Sequence, residues 1–187
     1  MRRRGAIAMF AVGVVALGVA AFALAGGSGA GFNHLTATMS GYQETPAAIS
    51  STGSAQFTAD VSKDGQSISW QLTYGGLEGD VTQSHIHFGQ RGITGGISVF
   101  LCTTLGNGPA GTQTCPQSGT ISGTITPADV SPNIPATAGA RAQGIGTGEY
   151  VELVRAIDAG KTYANLHTTI WPSGEIRAQL NEDDPHN

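Results

Sequence analysis

Three histidines carry most of the chemistry available to this chain. His85 and His87 stand one residue apart in Val81-Thr82-Gln83-Ser84-His85-Ile86-His87-Phe88-Gly89, and His167 lies far downstream in Tyr163-Ala164-Asn165-Leu166-His167-Thr168. Both runs read as strands. Side chains two apart on a strand share a face, so His85 and His87 point one way and Ile86 the other. Two imidazoles a few ångströms apart on a rigid element form half of a metal site, and neutral imidazole suits zinc or copper. If the His167 strand lies beside theirs, the three rings make an open site, with water, Glu175 or His34 completing the shell. The ligands must be neutral, so affinity should fall as pH drops below about 6.5, the ordinary imidazole pKa. The competing reading is that the histidines only hydrogen-bond backbone around the Gly-rich loop that follows them.

Other constellations carry less. Glu44, Glu175 and Arg177 are the raw material of acid–base catalysis, but no nucleophile or oxyanion cradle accompanies them, and they read as ion-paired or strand-end charges. Gly75-Gly76, Gly89, Gly92 and Gly95-Gly96 form no phosphate loop, because no helix start follows them.

The elements that must position these residues are mostly short strands. His34 to Met39 alternates with period two. Gly53 to Val61 does so again, with Ala55, Phe57, Ala59 and Val61 on one face. Lys63-Asp64-Gly65-Gln66 is a turn with an Asp-Gly hairpin signal. Ser67 to Tyr74 then places Ile68, Trp70, Leu72 and Tyr74 on one face, so these two strands make a hairpin with a defined inside. Further strands follow at Ile97 to Cys102, Ser118 to Ile125, Tyr163 to Thr168 and Glu175 to Leu180. Thr126-Pro127 looks like an N-cap with proline at the first helical position, cut short by Pro132 and Pro135. The stretch Ala136 to Gly148 reads as a loop. Glu149 to Ala159 puts Tyr150, Leu153, Val154 and Ile157 on one stripe, a single amphipathic helix ended by Gly160. Many short strands, 28 glycines and one short helix imply a mainly β fold, an antiparallel Greek-key sandwich or barrel.

Compartment is written at the N-terminus. Met1-Arg2-Arg3-Arg4 precedes an apolar run from Gly5 to Ala25 that ends in Ala23-Leu24-Ala25, the pattern of a secretory signal peptide. The run is also long enough to span a bilayer, so an uncleaved anchor is the alternative. The expected organisation is a signal segment over 1–25, a flexible spacer over 26–32, one β domain over 33–180 and a polar tail over 181–187. Cleavage after Ala25 removes three of nine basic residues and none of 13 acidic ones, leaving six against 13 and a net charge of −7. Such a surface cannot neutralise a row of phosphates, which argues against nucleic acid as a partner. Cys102 and Cys115 lie in the exported part and are expected to pair. That bond would close a Gly-, Thr- and Pro-rich loop and stabilise by about 3 kcal/mol on the loop-entropy account.

Three motifs in order, Gly41-Tyr42-Gln43-Glu44-Thr45-Pro46, then Ser84-His85-Ile86-His87-Phe88-Gly89 with Gly92, then Tyr163 to Thr168 with Pro172-Ser173-Gly174-Glu175-Ile176-Arg177-Ala178-Gln179-Leu180, resemble the CHRD (chordin-type) domain from about Leu35 to Leu180. Two positions depart from the family pattern, Ala47 for a proline and Ala178 for a glycine, and neither touches the histidines. The resemblance implies a β-rich extracellular domain. The His-x-His pair is also similar to that of copper–zinc superoxide dismutases. A two-metal site of that type needs more ligands than His34, His85, His87, His167 and His186 supply.

Two function classes follow. One is a non-enzymatic extracellular binding or adhesion module, its partner a protein or surface ligand and its only membrane contact through an uncleaved N-terminal segment. The other is a copper- or zinc-dependent protein built on His85, His87 and His167.

Overall fold

A computed structural model describes residues 32–180. The signal or anchor segment assigned to 1–25, most of the spacer and the tail over 181–187 lie outside the described residues. Eight strands are present: β1 His34–Ser40, β2 Ser54–Val61, β3 Ile68–Gly75, β4 Val81–Phe88, β5 Gly96–Thr103, β6 Gly119–Ile125, β7 Thr162–Thr168 and β8 Ile176–Gln179. They form one antiparallel sheet in the order β5-β4-β7-β8-β1-β2-β3-β6, curled into a nearly closed barrel. Of the two β architectures expected, the barrel-like one is formed.

The first three strands follow directly from their alternation. In β1 Leu35, Ala37 and Met39 are buried; in β2 Ala55, Phe57 and Ala59; in β3 Ile68, Trp70, Leu72 and Tyr74. The intervening residues meet solvent. The turn at Asp64-Gly65 works because Gly65 takes φ +68°, a left-handed conformation that costs a residue without Cβ nothing. Ser62 Oγ accepts from the Gln66 and Ser67 amides and closes the turn. Register then pairs Phe57 with Leu72 and Ala59 with Trp70, and the Phe57 and Trp70 rings lie 6.4 Å apart. On the other side Trp70 faces Gly123 of β6. A Cβ there would sit 2.8 Å from the indole ring, so glycine makes room for tryptophan.

Two short helices lie between β6 and β7, α1 Ala138–Ala142 and α2 Tyr150–Asp158. The stretch expected to be loop therefore contains α1. Alanines favour the helix intrinsically, and Arg141 fastens it by donating to the Pro132 and Ile134 carbonyls and to Thr137 Oγ1. The expected second helix is α2, with Tyr150, Leu153, Ala156 and Ile157 buried. Ala156 takes the inward place assigned to Val154, which is only partly buried. The Thr126-Pro127 start forms a single 3-10 turn over Pro127–Asp129, and Asp129 closes a capping box on Thr126.

Cys102 and Cys115 form a disulfide with Cα atoms 5.1 Å apart. It ties the end of β5 to the segment leading into β6. These are the two edge strands of the sheet, so the bond closes the seam of the barrel.

Candidate metal centre

After a register shift between Val81 and Gln83, strand β4 runs in regular register against β7: Gln83 faces His167, His85 faces Asn165 and His87 faces Tyr163. Next in the sheet, β8 places Arg177 opposite Asn165 and Gln179 opposite Tyr163. Residues directly opposite on antiparallel strands share a face. One face of β4-β7-β8 is thus a row of His85, His87, Tyr163, Asn165, His167, Arg177 and Gln179. The other face carries Ile86, Ala164, Leu166, Ile176 and Ala178 into the hydrophobic core. Against β5 the ladder slips twice, between Ser84 and His85 and again between Ile86 and His87. Bulges of this kind re-aim side chains, and here they bring Phe100 opposite His85, the two rings edge to face at 4.4 Å.

The polar face is nonetheless buried, because loops roof it. From the 89–95 loop, the Gly95 carbonyl accepts from His87 Nδ1 at 2.9 Å, and the Gly95 amide donates to the Tyr163 hydroxyl at 3.1 Å. The Gln90 and Ile93 carbonyls accept from Arg177, as does Thr45 Oγ1. The turn after β7 offers the Pro172 carbonyl to His167 Nδ1 at 3.0 Å. Gly95 must be glycine, since a Cβ there would lie 1.8 Å from the Phe88 carbonyl oxygen. Tyr163 stacks on His87 with ring centroids 4.7 Å apart, and the Arg177 guanidinium lies 3.4 Å from the Tyr163 centroid. That is a desolvated cation–π contact of roughly 2 kcal/mol.

The three histidines expected to meet do so. Ring centroids are 5.4 Å apart for His85–His87, 5.2 Å for His85–His167 and 6.3 Å for His87–His167. One ligand nitrogen from each lies within 4.8 Å of the others. All three side chains are buried. Both nitrogens of His85 and Nε2 of His87 have no hydrogen-bond partner. A buried imidazole nitrogen without a partner costs about 1–3 kcal/mol, so three such atoms together need a reason. The Nδ1–H groups of His87 and His167 each donate to a backbone carbonyl, the arrangement that fixes the tautomer and orients Nε2 toward a metal. Tetrahedral bonds of about 2.0–2.1 Å bring ligand nitrogens to roughly 3.4 Å of one another, a closure that small side-chain rotations supply.

Burial sets the protonation states. His85 is held well below the ordinary imidazole value by desolvation, reinforced by His167 and then His87. His87 is lowered to about 4, chiefly by burial, with the Gly95 carbonyl offsetting part of the effect. His167 is lowered to about 4 by burial, offset by Pro172. The rings are neutral and ready to coordinate well below pH 6.5, so the expected acid limit for metal binding moves from that value toward 4.

The other named residues stand apart from the cluster. His34 is largely exposed on β1 and pairs with Asp60 at 2.7 Å. Glu175 is fully buried, but its carboxylate accepts from Ser51 Oγ at 2.5 Å, the Glu78 amide at 2.8 Å and Thr168 Oγ1 at 2.8 Å. It is a hub joining three segments, and neither it nor His34 belongs to the histidine group. Glu44 and Arg177 are buried too. Desolvation raises Glu44 to about 7 against the pull of the Thr45 amide and Arg177. Both line a cleft of about 220 Å³ with Tyr42, Arg91 and Gln179. Asn165, Tyr163 and Gln179 were not singled out from the sequence. The available signal was period-two spacing in Tyr163, Asn165 and His167, which places all three on the histidine face.

A nearly closed antiparallel barrel with a roofed row of buried polar residues defines a β-rich module carrying one three-histidine cluster among its described residues. The family model for the CHRD domain matches residues 35–180, and the chain belongs to that family. No curated protein and no solved structure matches the chain. No helix among the described residues is long and apolar enough to cross a membrane.

Proposed function

We propose that this CHRD module is exported and works outside the cell as a non-enzymatic binding module, with one zinc or copper ion held by His85, His87 and His167. The observation that carries the metal reading is the set of unpartnered nitrogens on His85 and His87 facing His167 within a buried cluster. Neutral, carbonyl-oriented imidazoles are the ligand state that both metals require. Export is supported by the paired cysteines and by the N-terminal pattern of basic residues, apolar run and Ala-x-Ala. The module's partner is a protein or surface ligand.

The test is calorimetric titration of zinc and copper(II) into untagged protein and into His167→Ala. The expected result is one ion bound by the wild type with a dissociation constant below about 10 μM, equivalent to roughly 7 kcal/mol, and loss of that binding in the variant. Equal affinities, or no binding in the wild type, would leave the histidines as backbone anchors alone.

A further inference from the structure

The histidine group leaves one coordination position to be filled, and the residue facing it is an amide. We propose that Asn165 Oδ1 is the fourth ligand, so that the ion is enclosed by four protein donors and carries no exchangeable water. This rests on the three-histidine reading and adds to it a residue, a neutral ligand set and a closed shell.

Register puts Asn165 opposite His85 on one side and Arg177 on the other, two residues before His167 on the same face of β7. The side chain is buried. Its Oδ1 lies 3.0 Å from His167 Nε2. The Nδ1 of the same ring lies 3.0 Å from the Pro172 carbonyl, which can only accept, so Nδ1 carries the hydrogen. In a neutral ring Nε2 is then a lone pair. A lone pair and an amide oxygen at that separation repel, so either the amide turns its Nδ2–H group to the ring or a cation is held by both atoms. The Asn165 side chain shares its face with His87 and lies across the strand pair from His85, and both nitrogens of His85 and Nε2 of His87 lack a hydrogen-bond partner. Three clustered imidazoles and one buried amide therefore share this face. The Phe100 edge on His85 and the Tyr163 face on His87 wall the cluster with hydrocarbon. Metal sites with four protein ligands are structural, whereas catalytic ones keep a position open to water. A closed shell assigns this ion to joining β4 and β7 within the module and not to turnover.

The experiment loads the purified full chain with cobalt(II) and with zinc and titrates azide against the cobalt ligand-field spectrum. Azide coordinates only where a position is open or water-filled. The wild type is expected to give no azide response. Asn165→Ala should still bind metal, roughly 10–100-fold more weakly, the range for loss of a supporting group, and should gain an azide response. Asn165→Asp, which keeps an oxygen at the same place but cannot donate, should remain closed and bind at least as tightly as wild type. An azide response in the wild type overturns the closed shell while leaving the three-histidine site intact. So does Asn165→Ala with wild-type affinity and spectrum, because the amide then does no more than hydrogen-bond His167. An azide response in Asn165→Asp has the same force and covers the case where the alanine variant fails to fold. No uptake of either metal by the wild type overturns both the site and its fourth ligand.

Discussion

The two halves of the barrel solve opposite problems with the same strand geometry. In β1, β2 and β3 each strand buries one face and wets the other, and the inward residues are aliphatic or aromatic, with the Tyr74 hydroxyl donating to the Pro116 carbonyl. In β4, β7 and β8 both faces are buried, β7 and β8 along their whole length. One of those faces is polar. The first half needs only the hydrophobic effect to hold its register. The second must find a partner for every buried donor and acceptor, and it recruits three loops to do so. That recruitment stops short at Thr162 Oγ1 and Gln179 Oε1 as well as at His85 and His87, but only the histidine atoms gather into a group of potential ligands. Incomplete satisfaction inside an otherwise well-bonded region is the informative observation.

The comparison can be broken at its strongest point first. Trp70→Ala in the apolar half should cost roughly 3–5 kcal/mol in denaturant melts, as for a large buried aromatic. The loss should be the same with or without metal. Next in size, preventing the Cys102–Cys115 bond by paired serine substitution should cost about 3 kcal/mol. Mass spectrometry of the unreduced protein should find neither thiol open to alkylation.

In the polar half, zinc or copper at a hundredfold excess over its dissociation constant should stabilise by about 2.7 kcal/mol. Thermal melts should show this in the wild type and in a mild core variant such as Leu72→Val, but not in His167→Ala. Acid should separate the halves further. His87 and His167 fall to about 4 in the folded protein from an ordinary 6.5. The unfolded chain therefore binds more protons than the folded one in that window, and stability present above pH 6.5 is lost as pH falls toward 4. Glu44 works the other way, because its value rises from 4.5 to about 7. Its contribution is present below pH 4.5 and lost as pH rises through 7. Glu44→Gln removes this opposing contribution, so the stability of metal-free protein should drop more steeply between pH 6.5 and 4.5 than in wild type. Each fully shifted group contributes up to about 1.4 kcal/mol per pH unit. The finest distinction concerns two glutamines on outward faces. Gln179, whose Nε2 donates to the Gly89 and Gly160 carbonyls, should cost about 1–3 kcal/mol on replacement by alanine. Exposed Gln71 on β3 should stay within about 0.5 kcal/mol. Equal costs would erase the difference between the halves.

That difference also decided what the sequence could reveal. Alternation reports contrast between a wet face and a dry one, so Phe57, Ile68, Trp70 and Leu72 announced themselves, and the Asp64-Gly65 turn fixed their pairing. The histidine face was legible only through residue chemistry, since His85 and His87 mark a face whatever covers it. The burial of Glu44 and Arg177 was not legible, because it depends on loops folding over the sheet from positions 45 and 90–95, and that of Glu175 was not, because Ser51 and the Glu78 amide close on it from distant segments. The place of Asn165 was hidden for a related reason. Period-two spacing puts it on the face of His167, but its position opposite His85 follows from which strand lies beside β4, a long-range fact that no local pattern encodes. The helix α1 escaped because a Gly- and Ala-rich stretch following Pro132 and Pro135 carries no apolar stripe, and tertiary contacts hold it.

The disulfide at the seam bears on how this molecule behaves in company. Strands β5 and β6 are the ends of the sheet, and each offers a free row of backbone donors and acceptors of the kind that templates edge-to-edge growth between molecules. The Cys102–Cys115 bond holds the 103–114 loop across that boundary. The Gln113 carbonyl accepts from the Thr103 amide, and the Gln113 side chain donates to the Ser122 carbonyl, so both edges are occupied from within. Reduction frees the loop and leaves two adhesive borders on an acidic chain. Fibrous or oligomeric material after reduction, and none before it, is the outcome this geometry implies.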